Sequence, residues 1–355
     1  MTPAELSRTV LRSVRGAVEE QELSVPVPAR IVVEPPPRPG CGDYASNVAL
    51  QLAGPAGRPA REVAEILRNR LVGSAGIARV EIAGPGFLNF TLGDGALIAL
   101  VREVLAQGDG YGGPSAGQGS GAFRPVAGST AADARAAVVA EVLAQVDAAA
   151  GRSDCQVDGH PVLAPAPYDL ATLTARLGPD DARWVLLRPV AHDPVRVPER
   201  PVQRESNPRF RVQYAYARVR ALVRNAGELG FVSEPGDVGF PPTDGGSSPA
   251  APSAPLPSAP AAPSLPSLQA LQTSLATYPS VIEVAARLRA PDRVVRHLEA
   301  TADAFFRWHD VFPPLPVGQQ KPLAVHRARL ALAEASGTVL ANGLRLLGIS
   351  APEHL

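Results

Sequence analysis

The sequence predicts a three-part chain: an α+β N-terminal domain, a degenerate α/β remnant in the middle, and an all-α helical-bundle domain at the C-terminal side. Three observations carry that prediction. Helical and alternating apolar periods are mixed over residues 1–110. A Gly/Ser-rich stretch, then a Pro-broken Ala/Val segment too short for a full doubly wound sheet, follow to residue 206. From Asn207 onward only the helical period remains.

The N-terminal domain is assigned to residues 1–110. Its first helix opens at Thr2-Pro3-Ala4-Glu5, where Thr caps, Pro is tolerated in the first turn and Glu5 stands at the capping-box position; it runs to about Gln21. Arg30 to Glu34 is a short β-branched strand closed by Pro35–Pro37. Tyr44–Ala53 and Arg61–Leu71 carry helical periodicity. Ala78–Leu92 alternates as a strand pair broken at Gly84-Pro85-Gly86, and a helix from about Gly95 to Gln107 completes the domain.

Residues 111–128 read as a linker, and residues 129–206 as the remnant, with an Ala/Val helix over 131–150 and a helix-like Asp180–Leu187. The third domain, 207–355, begins with an amphipathic helix from Pro208 to about Leu229. Val212, Ala215, Val219 and Leu222 form its apolar stripe, beside Arg209, Tyr216, Arg220 and Arg224. Its last helix, about 321–347, keeps Leu330, Ala333, Gly337, Leu340, Leu344 and Leu347 in register. Between them, the Pro/Ser/Ala tract 235–267 lacks the apolar surface to offset its ordering entropy and is expected to be a disordered insertion.

Bulk properties bound the function. At 355 residues with formal net charge +0, the chain has no global basic field, so any nucleic-acid contact must come from local clusters. Lys321 is the only lysine; the positive charge is otherwise arginine, which suits planar phosphate and base contacts. Cys41 and Cys155 lie far apart with no His at ligand spacing, so no metal site is expected. No apolar leader-like segment and no run of about 18 apolar residues occurs, and the expectation is a soluble cytoplasmic protein. HExxH, G-x-S-x-G and Walker patterns are absent, Gly84-x-Gly86 is too brief for a dinucleotide fingerprint, and the six histidines are scattered as surface or packing residues.

Two motifs in the first domain, Cys41-Gly42-Asp43-Tyr44-Ala45-Ser46-Asn47-Val48-Ala49 and Ala83-Gly84-Pro85-Gly86-Phe87-Leu88-Asn89-Phe90, resemble the additional N-terminal domain of arginyl-tRNA synthetases. Asn207-Pro208 with Val212-Gln213-Tyr214-Ala215-Tyr216-Ala217-Arg218-Val219 resembles the junction helix into that family's anticodon-binding domain, with Tyr216 where the family usually has His. Tyr278-Pro279, Ala304-Phe305-Phe306 and the closing Val339–Ile349 run also match. Arg327-Ala328-Arg329-Leu330 corresponds to the signature after which the DALR domain is named.

The resemblance implies a tRNA partner, with an arginine acceptor as one candidate, met at its elbow by the first domain and at its anticodon by the third. Phe87 and Asn89 match positions that meet a loop nucleotide, by stacking plus edge hydrogen bonds; a core role for Phe87 is the competing reading. Arg209, Arg211, Tyr214, Tyr216, Arg218, Arg220, Arg327 and Arg329 are the expected RNA-facing set at the other end, against the plainer reading of solvated surface charges.

The centre departs from the family. The helix beginning Asp133-Ala134-Arg135 resembles the one that carries the ATP-binding HxGH motif, which places Thr130, Ala131, Ala132 and Asp133 where the histidines and glycine belong. An Asp at the second histidine puts a carboxylate against the triphosphate. The lysine-bearing signature has no counterpart, although Gly178-Pro179-Asp180-Asp181-Ala182-Arg183-Trp184 resembles the segment that closes the catalytic region.

The expected protein is therefore a catalytically silent paralogue that keeps its tRNA-binding ends, with no cofactor because the ATP site is lost, no membrane and no DNA. A divergent or split arginine–tRNA ligase completed by a partner chain, and a protein-interaction scaffold with a decayed RNA surface, are the alternatives.

Overall fold

The computed structural model describes residues 3–34, 36, 41–93, 95–113, 134–152, 161–199, 206–239 and 266–355. The chain divides into two compact units, Met1–Leu100 with Gly239–Ala276, and Val101–Val238 with Thr277–Leu355.

In the first unit, α1 (Pro3–Glu19) presents Leu6, Val10, Val14 and Ala17 as one buried stripe, the i, i+4 spacing of a single helix face. α2 (Val48–Ala56) and α3 (Ala60–Leu71) add Val48, Ala49, Leu52, Val63, Ala64, Leu67 and Leu71 to the same core. β1 (Tyr44–Ser46), β2 (Ile77–Ala83) and β3 (Phe87–Leu92) form an antiparallel sheet in the order β1-β3-β2. The cross-strand row Tyr44, Phe90, Val80 is buried in that core. The neighbouring row Ala45, Asn89, Glu81 takes the opposite face, as the two-residue period requires.

The two family-like motifs of this unit are thus one piece of structure, because the first supplies β1 and the second β3. Asp43 N donates to Phe90 O at 2.7 Å, and Leu92 N donates to the Asp43 carboxylate at 2.8 Å. Gly42 has φ +93°, and a Cβ there would lie 2.7 Å from Phe90 O, so only glycine fits. Tyr44–Ser46 is consequently a strand, where its local period predicts the start of a helix. Pairing with β3 outweighs three residues of propensity.

The expected strand over Arg30–Glu34 reduces to one bridge, Glu34 to Ala45. Ser7 Oγ and Ser46 Oγ donate to Ile31 O and Val32 O, satisfying this segment by side chains instead of a ladder.

The second unit contains the C-terminal part of α4 (Gly95–Gln107) and of α9 (Pro266–Leu288). It also contains α5 (Ala134–Ala149), α6 (Leu170–Leu177), α7 (Pro179–Leu187), α8 (Pro208–Glu228), α10 (Asp292–Val311) and α11 (Ala324–Leu346). α11 is the centre of this bundle. Leu330, Ala333, Leu340 and Leu344 form the expected stripe, and Ala331, Leu332, Ala335 and Val339 bury the other faces. Gly337 lets α8 approach: a Cβ there would lie 2.8 Å from Val219 Cγ1.

The middle of the chain, expected as an α/β remnant, has helices α5–α7 and no strand among its described residues. Prolines at 161, 165, 167, 189, 194 and 198 remove the donors a ladder needs. Arg135, 1% exposed, replaces the sheet as organiser. Its Nε donates to Leu186 O, its Nη1 to Ala164 O, Ala191 O and Asp193 O, and its Nη2 to Pro189 O and Val190 O, all at 2.8–3.1 Å.

Of the linker read over 111–128, residues 114–128 lie outside the described residues, while Tyr111 stacks on Tyr278 with ring centroids 6.1 Å apart. Of the insertion read over 235–267, residues 240–265 lie outside them. Residues 235–239 are an extended segment with Val238 buried, and Pro266 and Ser267 already belong to α9. No helix of the described residues is long and apolar enough to cross a membrane.

Candidate nucleic-acid interface

β3 sets Phe87 and Asn89 on the sheet face opposite the helices. Phe87 is 41% exposed, which removes the core reading for its ring; Asn89 is 8% exposed because it sits in the central strand between Ala45 and Glu81. Arg79 and Glu81, paired at 2.5 Å, lie on the adjoining β2 strand.

α8 sorts the other candidates by face. Phe210 and Tyr214 stack at i, i+4 with centroids 6.1 Å apart, and Tyr214 continues the stack onto Phe306 of α10 at 5.5 Å. The Arg211 guanidinium lies 4.9 Å from the Phe306 ring and its Nε donates to Asp303 at 2.6 Å. Arg218, two turns further along this face, is exposed, and its charge adds to burial in holding the His309 pKa below the ordinary value. Arg211, Tyr214 and Arg218 with Phe210 and Phe306 thus make a half-exposed aromatic and cationic strip, chemically suited to unstacked bases and phosphates. Phe210 was legible as the i−4 neighbour of Tyr214; Phe306, 92 residues further on, was visible only as part of the Ala304–Phe306 match.

Two of the expected RNA-facing arginines do not face outward. Arg209 is buried: its Nε and Nη2 donate to the two carboxylate oxygens of Asp181 at 2.6 and 2.8 Å, and its Nη1 donates to Gln213 Oε1. Arg329, 4% exposed, donates from Nε to Val238 O at 2.9 Å and covers the Phe312 ring at 5.3 Å; burial lowers its pKa. Both guanidiniums are spent on the protein's own acceptors, so phosphate contact by either is corrected to a structural role.

Arg220 pairs with Glu353 at 3.0 Å, tying α8 to the closing segment. Tyr216 and Arg327 are half-buried, and the Arg327 carbonyl accepts from Glu234 N. Of the histidines, His326 Nδ1 accepts from Leu323 N at 3.0 Å and so caps α11, and His297 stacks on Tyr278. Thr130, Ala131, Ala132 and Asp133 lie outside the described residues. Among the described residues no group of His, Cys, Asp or Glu could hold a metal ion.

Residues 8–92 match the arginyl tRNA synthetase N terminal domain and residues 212–355 the DALR anticodon binding domain. An arginine–tRNA ligase of Frankia alni is 45% identical over 159 residues, covering 43% of this chain and 29% of the relative. One of Paenarthrobacter aurescens is 36% identical over 189 residues, 53% of this chain and 30% of the relative. The matched region thus spans about a third of these relatives' length or less. The solved arginyl-tRNA synthetase of Thermus thermophilus aligns with a TM-score of 0.68 over 100% of both chains at 13% identity, which shows a shared fold. The chain is a relative of the arginyl-tRNA synthetases, carrying that family's N-terminal domain and its DALR anticodon-binding domain.

Proposed function

We propose that the protein binds tRNA through its N-terminal and DALR domains, and holds, delivers or sequesters it without activating arginine by itself. The observation that carries this reading is the coexistence of both domains with a centre in which Thr130, Ala131, Ala132 and Asp133 occupy the ATP-binding motif. In this reading Phe87 stacks on a loop base, and the strip of Arg211, Tyr214, Arg218 and Phe306 receives unpaired bases and their phosphates. ATP is not a ligand, and the compartment is the cytoplasm.

The names of the curated relatives favour one other reading, an arginine–tRNA ligase completed by a partner chain. Filter binding of the purified full chain to arginine tRNA and to bulk tRNA at two salt concentrations tests the first reading. Selective, salt-dependent binding is expected; no binding near micromolar protein overturns it in favour of a protein-interaction scaffold. Arginine-dependent ATP–pyrophosphate exchange by the chain alone would overturn the absence of activation.

A further inference from the structure

Four arginines outside the set suggested by the motifs gather around the first half of α10. Arg188, Arg196 and Arg296 line a cavity of about 920 Å³ against the N-terminal end of α8 at Asn207 and Pro208. Arg296 also lines a second cavity of about 380 Å³, together with Arg293, so the two cavities share one arginine. All four side chains belong to exposed residues.

The carboxylates of this region are fewer than they first look. Asp181, which lines the larger cavity, is already held by Arg209. Glu299 accepts one bond from Arg188 Nε at 2.7 Å, and Asp292 faces Arg296 Nη2 at 3.4 Å. A guanidinium carries five N–H donors in a fork, so each of these single contacts leaves donors for a second acceptor. Asp193 is the remaining carboxylate on the larger cavity. Four arginines therefore meet three carboxylates that Arg209 does not hold: Glu299 and Asp193 on the larger cavity, and Asp292 beside Arg296.

A second observation points the same way. Trp184 lines the larger cavity at 2% exposure, and its buried indole N–H has no acceptor among the described residues. Such orphaned donors are uncommon in folded proteins.

We propose that these neighbouring cavities seat the sugar–phosphate backbone of the bound RNA, with successive phosphates on Arg188/Arg196 and on Arg296/Arg293. This rests on the tRNA-binding reading above and adds a contact away from the α8 aromatic strip. A polyanion with regularly spaced charges matches two cavities sharing one arginine, whereas a single small anion would occupy one of them. Guanidinium forks suit phosphate oxygens and carry no base selectivity, so the contact adds affinity without choosing the tRNA.

The test is filter binding of the full chain to bulk tRNA across a salt series, for wild type, for R196Q/R293Q/R296Q and for R196Q alone. Each lost phosphate contact removes roughly 0.7–0.9 from the slope of log K against log salt, so the triple variant's slope is expected to be shallower by about 2.1–2.7 and the single variant's by about 0.7–0.9. R196Q breaks no ion pair seen among the described residues, and it keeps the test available if the triple variant does not fold. Unchanged slopes in a wild type and variants that all bind tRNA overturn this site and leave the tRNA-binding reading standing. Failure of the wild type to bind tRNA overturns both.

Discussion

Replacing Arg209 isolates a buried charge. The Arg209 and Asp181 side chains are 10% and 8% exposed and share two parallel bonds of 2.6 and 2.8 Å. In Arg209→Met the aliphatic stem remains and the guanidinium goes, leaving the Asp181 carboxylate with the Asn207 amide at 3.2 Å as its side-chain donor. Removing one partner of a buried pair costs about 3–5 kcal/mol, because the survivor keeps its desolvation penalty. That is a large part of a typical domain stability of roughly 5–15 kcal/mol. Asp181→Leu strands the guanidinium and should cost a similar amount. The double variant removes both charges and should cost no more than either single variant, so the coupling is at least about 3 kcal/mol. Urea unfolding followed by tryptophan fluorescence measures this directly, since both tryptophans, Trp184 and Trp308, are buried in the second unit. Single costs below about 1 kcal/mol that simply add would refute the reasoning. Because Arg209 is enclosed, the double variant is expected to keep the wild-type tRNA affinity; a loss of binding with stability restored would return Arg209 to the RNA surface.

Two further perturbations test the framework. Arg135→Met strips the donors from six carbonyls and should destabilise the second unit by about 3 kcal/mol, some of the carbonyls being rehydrated. Hydrogen exchange should rise over 161–198 first and leave α10 and α11 protected; uniform exchange would contradict a local organising role. His326 is held below its usual pKa of 6.5 by burial, then by Arg329, and His309 is lowered by burial, then by Arg218. The unfolded chain then binds protons more readily than the folded one, so stability is complete above about pH 6.5 and falls as pH drops through that value. The urea midpoint should fall between about pH 7.5 and about pH 5.5, and by less in His326→Gln. An unchanged pH dependence in that variant would show that the α11 cap does not titrate.

What the sequence determined is what local periodicity and local sterics determine. The stripes of α8 and α11 and the helical period of α3 were visible because i, i+3 and i+4 residues share a face wherever the helix packs. The motif around Gly42 was legible as a family resemblance, and the structure supplies its physical ground, a glycine at φ +93° against a backbone carbonyl. The sequence left Phe87 between a loop-base contact and a core role, and did not single out Arg211, Tyr214 and Arg218 from the wider set of arginines and tyrosines. Tertiary structure decided the rest. Tyr44–Ser46 became a strand because β3, more than 40 residues later, supplied the ladder. The α/β character expected of the middle gave way to helices tied by Arg135, whose acceptors lie 29 to 58 residues away. Above all, spacing could not say which arginines meet solvent. Arg209 and Arg329 stand in the same motifs as Arg211 and Arg327, yet an acid 28 residues upstream and a carbonyl 91 residues away consume them. Burial depends on elements remote in sequence, whereas the period of a helix depends only on its neighbours.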